Sequence, residues 1–415
     1  MLKTVSTKQV RLGMFIQELK GAWIDHPFWK KAFKLEDAAD LTKLQKSVIK
    51  EVVIDICKGL DVAEAEAEAV VEATSMPKTE VPAVVAIAES TPLPKPAPSP
   101  KPKRVTANEE RARAKQIINA SKQAVTSMFS DARMGKAIKA EAAMQLVDDI
   151  ASSVSRNEGA LLSLVRLKNK DDYTYMHSVA VCALMVALSN ELGLSEAETK
   201  QAGLAGLLHD IGKAAISMDV LNKPGALTDD EFALVKLHPE RGHALLIQAN
   251  IIDEVVLDVC LHHHEKVSGM GYPHQLKADE ISLFAKMGAV CDVYDAITSN
   301  RPYKAGWEPG VSLQRMAQWA DHFDDRVFKA FVKSVGIYPI GSMVKLKSGR
   351  LAVVVDQSPK SLLTPILKVF FSTKSKTRLQ VEVLDLSSPS AQDSIVGHES
   401  PALWGITDVD KLWAQ

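Results

Sequence analysis

Eight of the eleven histidines fall between His177 and His274, in stretches that otherwise read as apolar helix. One imidazole on an apolar helix is an ordinary packed side chain. A series of them beside carboxylates is different, because each polar group buried without a partner costs on the order of a few kcal/mol. The sharpest instance is Gly203-Leu204-Ala205-Gly206-Leu207-Leu208-His209-Asp210-Ile211-Gly212-Lys213. One apolar segment here delivers an imidazole, a carboxylate and, four residues after the histidine, an ammonium. Read as continuous helix, that spacing puts Lys213 on the face of His209. A divalent cation would pair His209 and Asp210 together.

Further imidazoles sit at expected helix junctions. In Leu237-His238-Pro239-Glu240, Pro239 suits the first turn of a helix and leaves His238 at its entrance. The run His262-His263-His264-Glu265 closes a helix that starts near Asp253. Adjacent histidines cannot share one helical face, but two can converge where a helix frays, with His262 as the outward neighbour. Ser268-Gly269-Met270-Gly271-Tyr272-Pro273 follows at once. Later, Asp292 and Asp295 stand one turn apart, and Arg301 and Lys304 come after them. The planar fork of Arg and the point charge of Lys suit phosphate, the plain alternative being a solvated surface cluster.

A chain of 415 residues exceeds one core and implies two or three domains. Residues 1–60 carry short alternating runs, Val10-Arg11-Leu12 and Glu51 to Ile56 among them, that suggest a small α+β module. Residues 61–106 read as an Ala/Glu and then Pro-rich linker, since the prolines between 75 and 103 remove backbone donors. Residues 107–335 look helical throughout, with polar caps such as Thr228 before Asp229-Asp230-Glu231. Residues 336–415 read as a C-terminal β appendage, with a hairpin from Met343-Val344-Lys345-Leu346-Lys347 to 351–355 and a further strand over 379–386.

Charge and cysteine usage exclude several function classes. Lys+Arg at 50 against Asp+Glu at 51 creates no overall field toward nucleic acid or anionic lipid, so no DNA or RNA partner is expected. The longest strictly apolar runs, 81–88 and 179–188, fall short of the roughly 20 residues of a membrane span, and the first residues hold no signal-peptide core. Cys57, Cys182, Cys260 and Cys291 form no CxxC, which disfavours both a disulfide framework and a thiolate zinc site. A reducing cytoplasm fits.

Over roughly residues 150–335 the chain resembles the HD-GYP domains, a subgroup of the HD metal-dependent phosphohydrolases. The resemblance rests on Tyr173-Thr174-Tyr175-Met176-His177-Ser178, on His209-Asp210-Ile211-Gly212-Lys213, on His263-His264-Glu265 with Gly271-Tyr272-Pro273, and on Asp292-Val293-Tyr294-Asp295-Ala296 with Arg301-Pro302-Tyr303-Lys304, in that order. Residues 1–60 are similar, through Gly13-Met14, His26-Pro27-Phe28 and 54–59, to the small domain often found ahead of HD-GYP domains. The implied fold is mainly α: an HD-type helical bundle with a small N-terminal α+β module and a short C-terminal β appendage. The implied activity is cyclic di-GMP phosphodiesterase, giving pGpG or GMP, in the signalling that controls motility and biofilm. His177, His209, Asp210, His238, His263, His264 and Asp292 become the ligands of a binuclear iron or manganese centre, with Asp210 bridging. Lys213 becomes the cation at the scissile phosphate, and Arg301 and Lys304 hold the phosphates. Implied protein partners are GGDEF-domain proteins, through the Gly271-Tyr272-Pro273 loop, and a second copy in a homodimer.

Two departures from the family pattern stand out. Some members carry Glu four residues before the first histidine, supporting a third metal; Tyr173 here implies two. Ser268 replaces the usual Asp of the loop and is expected to change loop packing or partner contacts, not chemistry. Two other readings compete: an HD nucleotidohydrolase acting on another nucleotide, which the GYP loop and the Arg301/Lys304 pair oppose, and a non-catalytic cyclic di-GMP sensor or docking module, which the full ligand set opposes.

Overall fold

The computed structural model describes residues 2–19, 33–46, 49–60, 103–136, 140–167, 173–223, 225–299, 306–319, 321–358 and 361–414. Most of the expected linker, and both Arg301 and Lys304, lie outside them. The chain divides into two compact units, residues 1–101 and 102–415.

In the first unit, strands β1 (Leu2–Ser6), β2 (Phe15–Leu19), β3 (Phe33–Lys34) and β4 (Glu51–Asp55) form an antiparallel sheet in the order β1-β4-β2-β3, with helix α1 (Ala38–Lys46) between β3 and β4 in sequence. Register runs from Leu2↔Asp55 to Ser6↔Glu51, and Val5, Met14, Ile16, Leu35, Leu44, Val52 and Ile54 fill the core. Val10-Arg11-Leu12 is no strand. Ser6 caps a 3-10 turn over Thr7–Gln9 through a full capping box, so the chain turns there, although Val10 is still buried.

The second unit begins with α2 (Ala107–Arg133), α3 (Ala140–Arg156), α4 (Glu158–Val165), α5 (Tyr173–Leu192) and α6 (Glu196–Leu208). Asn157 separates α3 from α4: its side-chain oxygen accepts from Ala160 N at 2.9 Å, and its amide donates to Val105 O at 3.0 Å. There follow α7 (Met218–Leu221), α8 (Asp229–Val235), α9 (His238–Gln248), α10 (Glu254–His262), α11 (Leu283–Thr298), α12 (Pro309–Met316) and α13 (Asp325–Val335). Capping boxes at Thr106/Glu109, Ser195/Glu198 and Thr228/Glu231 start α2, α6 and α8. Helix α5 is the centre, packed against α2, α3, α4, α6, α11 and α13. Its window over residues 175–192 reaches a mean hydropathy of 1.3, long and apolar enough for a membrane span by composition, which the strictly apolar run over 179–188 did not reveal. That window is 78% buried, so its apolar surface faces other helices.

Strands β5 (Met343–Leu346), β6 (Arg350–Asp356), β7 (Ile366–Ser372), β8 (Thr377–Asp385) and β9 (Ile395–His398) make an antiparallel sheet in the order β8-β7-β6-β5-β9, followed by α14 (Asp410–Trp413). The hairpin register Met343↔Val353 buries Val344, Leu351 and Val353 together with Leu367, Val369, Phe370 and Trp413. Ala107 and Ala160 of the helices join that core. The Asp356 carboxylate also accepts from Ala107 N at 3.0 Å, at the positive end of α2.

Candidate metal centre

Two helix interiors and several helix ends bring the seven candidate ligands together. His177 projects from the first half of α5, and Asp292 from the middle of α11. His209 is the C-cap of α6, Asp210 precedes the 3-10 turn Ile211–Ala215, His238 opens α9 with Pro239 behind it, and His263 is the C-cap of α10 with His264 beyond it. All but His264 are buried. The expected single helix through His209 and Lys213 does not exist, since α6 stops at Leu208. Lys213 lies in the 3-10 turn, and its ammonium meets the Asp210 carboxylate instead of sharing a face with His209.

Each ring is fixed by its outer nitrogen. His209 Nδ1 donates to Gly206 O at 2.7 Å, His238 Nδ1 to Val235 O at 2.7 Å and His263 Nδ1 to Val259 O at 3.0 Å. A carbonyl only accepts, so Nδ1 carries a proton in all three rings and Nε2 is the atom turned inward. His177 Nδ1 is held by Asp295 Oδ2 at 2.6 Å. Such outer partners set tautomer and orientation in metal-ligating histidines. Asp295, noted in the sequence as one turn from Asp292 but given no role there, is the residue that reading missed. Its signal was the i, i+3 spacing.

The inward atoms form two groups around one carboxylate, and a third set, His209, Asp210 and His263, links them. His177, His209 and Asp292 offer ligand atoms within 4.8 Å of one another, and so do His238, His263 and His264. Asp210 Oδ2 faces the first group, 3.5 Å from His177 Nε2 and 3.4 Å from His209 Nε2. Its Oδ1 faces the second, 3.2 Å from His238 Nε2 and 3.9 Å from His263 Nε2. His177 Nε2 lies 2.9 Å from Asp292 Oδ1, and His264 Nδ1 lies 3.7 Å from Asp292 Oδ2.

The electrostatics call for cations. Burial alone would raise the Asp210 carboxyl, yet Lys213 and His209 hold it well below the usual range. Burial likewise opposes ionisation of Asp292, and the His177 hydrogen bond outweighs it. Burial pushes His264 down to about 3, and it drives His263 well below the ordinary imidazole value together with the neighbouring rings His264, His209 and His238. For His263, His264, Asp210 and Asp292 these directions favour the protonation states that ligate metals. His177 goes the other way: burial is outweighed by its hydrogen bonds to Asp292 and Asp295, which raise it. His209 Nε2 and Asp210 Oδ1 are buried with no hydrogen-bond partner, and His238 Nε2 faces His263 Nε2 at 3.3 Å. Orphaned acceptors of this kind are satisfied by a divalent cation. The donor set of imidazole nitrogen and carboxylate oxygen suits a first-row transition ion.

The Gly271-Tyr272-Pro273 loop closes one side. The Tyr272 ring stacks on His264 with centroids 4.6 Å apart. Buried Glu265 ties the loop down, accepting from His274 N at 2.7 Å and Leu276 N at 3.1 Å. Gly271 passes so close that an added Cβ would lie 2.5 Å from Glu265 Cα. Ser268 pairs in an isolated bridge with Lys277, and Met270 is 76% exposed at the loop tip.

Comparison with known proteins matches residues 2–143 to a domain of unknown function (DUF3391) and residues 146–327 to an HD domain. The chain is 52% identical to cyclic di-GMP phosphodiesterase PA4108 of Pseudomonas aeruginosa, over all of this chain and 96% of that protein. It is 42% identical to the cyclic di-GMP phosphodiesterase response regulator RpfG of Xanthomonas campestris, over 35% of this chain and 39% of that one. It is also 31% identical to 3'3'-cGAMP-specific phosphodiesterase 2 of Vibrio cholerae, over 42% of this chain and 33% of that one.

Proposed function

The chain belongs to the HD-GYP cyclic di-GMP phosphodiesterases, and from that premise we infer that it hydrolyses cyclic di-GMP, to pGpG or onward to GMP, at the histidine–aspartate pocket. One observation carries the assignment of the site. The two oxygens of buried Asp210 face two adjoining groups of inward-turned ligand atoms, an arrangement that suits a carboxylate shared between two cations.

His177, His209 and Asp292 would hold one divalent ion and His238, His263 and His264 the other, with Asp210 common to both and iron or manganese favoured over zinc. When bound, the pair supplies a water-derived nucleophile near neutral pH and offsets charge on the phosphodiester. The protein's own groups do the rest. Asp295 keeps the His177 ring in place, and Tyr272 covers His264 and limits water on that side. Lys213, with its side chain 22% exposed, sits at the Asp210 carboxylate, where its ammonium would stabilise the charge that develops on the phosphoryl oxygens. Arg301 and Lys304 are assigned to the phosphates on their sequence alone.

The same reading puts the enzyme in the cytoplasm, where Cys182, Cys260 and Cys291 stay reduced and buried, and in signalling that governs motility and biofilm. It makes the exposed Met270 tip of the loop the contact for GGDEF-domain partners, and it allows a homodimer. The cGAMP-specific relative makes 3'3'-cGAMP the competing substrate worth testing. The decisive assay is anaerobic reconstitution with Mn²⁺ or Fe²⁺ followed by chromatography of products from cyclic di-GMP, 3'3'-cGAMP and mononucleotides. Cyclic di-GMP turnover is expected to lead, and His209→Ala and Asp210→Ala are expected to abolish it with the helical circular dichroism unchanged. Unaltered turnover in both variants would refute the site.

A further inference from the structure

The C-terminal sheet and α14 lie beyond residue 327, where the HD match ends. They nevertheless share a cavity of about 50 Å³ with the back of the candidate metal centre. Asp295, Tyr294 and Arg166 line it from the helical side, and Pro339, Asp356 and Gln357 from the C-terminal side.

Arg166 is the C-cap of α4, where a cation meets the negative end of the helix. Its guanidinium carbon sits 5.4 Å from the ring centroid of Trp413, which is wholly buried in the core of the sheet module. The backbone of the module closes over the pair at Gly341, with φ +87. A Cβ there would lie 2.4 Å from Arg166 Nη2 and 2.8 Å from Trp413 Cε2, so the contact admits glycine and little else. On its other side Arg166 borders the same small cavity as buried Tyr294 and Asp295 of α11, which places its guanidinium next to that turn of the helix.

Tyr294 lies between Asp292, a candidate ligand, and Asp295, which orients His177 at 2.6 Å. The three occupy less than one helical turn, so a shift of Tyr294 moves both carboxylates. We propose that the C-terminal module acts as a brace for the metal centre, and that Arg166 is the positioning residue through which Trp413 and Gly341 hold the Asp292–Asp295 turn of α11 in ligating register. The proposal gives residues 336–415 a task and rests on the metal-centre reading above.

The test is Mn²⁺ binding by anaerobic titration calorimetry on the full chain, a readout independent of turnover. Arg166→Met is expected to weaken Mn²⁺ binding about tenfold or more, in the range seen when outer partners of ligands are removed. Arg166→Lys, which keeps a cation over Trp413, is expected to recover most of that loss. Trp413→Phe, a milder change, is expected to weaken binding severalfold while leaving the module folded. Val353→Ala, in the sheet core and away from Arg166, serves as the control: it lowers the thermal midpoint and leaves Mn²⁺ affinity within twofold. Wild-type affinity in both Arg166→Met and Trp413→Phe overturns the brace, and so does an equal loss of affinity in Val353→Ala. Failure of the unaltered chain to bind Mn²⁺ would instead overturn the metal-centre reading, and the two failures are thereby distinct.

Discussion

At the scale of single residues, the site depends on protonation states that the surrounding backbone imposes. Three carbonyls hold the Nδ1 protons of His209, His238 and His263, and Lys213 keeps Asp210 ionised against the cost of its burial. On the proposed function Lys213 has two separable roles, toward the carboxylate it contacts and toward a substrate phosphate. Asp210 also has His209 and His238 beside it, so the ligand survives loss of the ammonium. Lys213→Met is expected to lower kcat by about a hundredfold to a thousandfold, the usual loss for one group aimed at developing charge. KM should change little, and metal content by elemental analysis should not change. A variant that lost its metal, or that kept its kcat, would show that the ammonium serves the fold alone. The seven candidate positions that the structure brings together stood out in the sequence because imidazoles and carboxylates in apolar surroundings conflict with burial unless something pairs them. Asp295 was visible only as a spacing, since its partner His177 lies 118 residues away. The geometry of Lys213 was misread because nothing in an apolar run such as Leu204 to Leu208 announces that the helix stops one residue before His209.

At the scale of elements, local chemistry was the readable part. Thr228, Asp253 and Pro239 mark helix starts that the structure has, because a cap or a proline acts within one turn. The hairpin of β5 and β6 and the strand β8 follow from alternating residues around the turn Ser348-Gly349. Strands β7 and β9 were not anticipated. The burial pattern of β7 departs from simple alternation where its register slips against β6 and β8, and β9 pairs with β5 across about fifty residues of sequence. Helix α4 shows a conflict that sequence cannot resolve. Glu158 stands in its first turn, where the helix dipole favours a carboxylate, and Arg104 favours it too. Burial beats both and raises its pKa from 4.5 to about 7. A carboxyl raised on folding keeps its proton in the native state after the unfolded chain has lost it. Stability is therefore lost as pH climbs from about 4.5 to about 7, and is level above that. Glu158→Gln removes the effect. The thermal midpoint of the variant relative to the unaltered chain should rise between pH 5 and pH 7.5 and then stay constant. Parallel profiles for the two proteins would mean that Glu158 ionises freely in the fold.

For the whole molecule, the same orphaned polar atoms that make a metal centre make the empty bundle less stable than its packing suggests. Helices α5 and α11 carry a candidate ligand within their length and α6, α9 and α10 carry one at an end, so the centre joins five elements at one point. Unfolding scatters His177 and Asp292 across more than a hundred positions, and the unfolded chain offers no comparable site. Any ion bound there is bound to the native state, and its binding free energy adds to folding. Free Mn²⁺ at 100 times its dissociation constant should contribute about 2.7 kcal/mol, and at 1,000 times about 4.1 kcal/mol. Chelation should therefore lower the thermal midpoint of residues 102–415, reversibly, and the midpoint should climb with the logarithm of added Mn²⁺. The small sheet of residues 2–60 has its own core and contributes none of the seven ligands, so the transition that reports on it should not move. Calorimetry with and without chelator separates the two. In Asp210→Ala the dependence on Mn²⁺ should collapse, because the carboxylate common to both ligand groups is gone. A dependence that persisted at full strength in that variant would place the stabilising ion somewhere other than between His177 and His264.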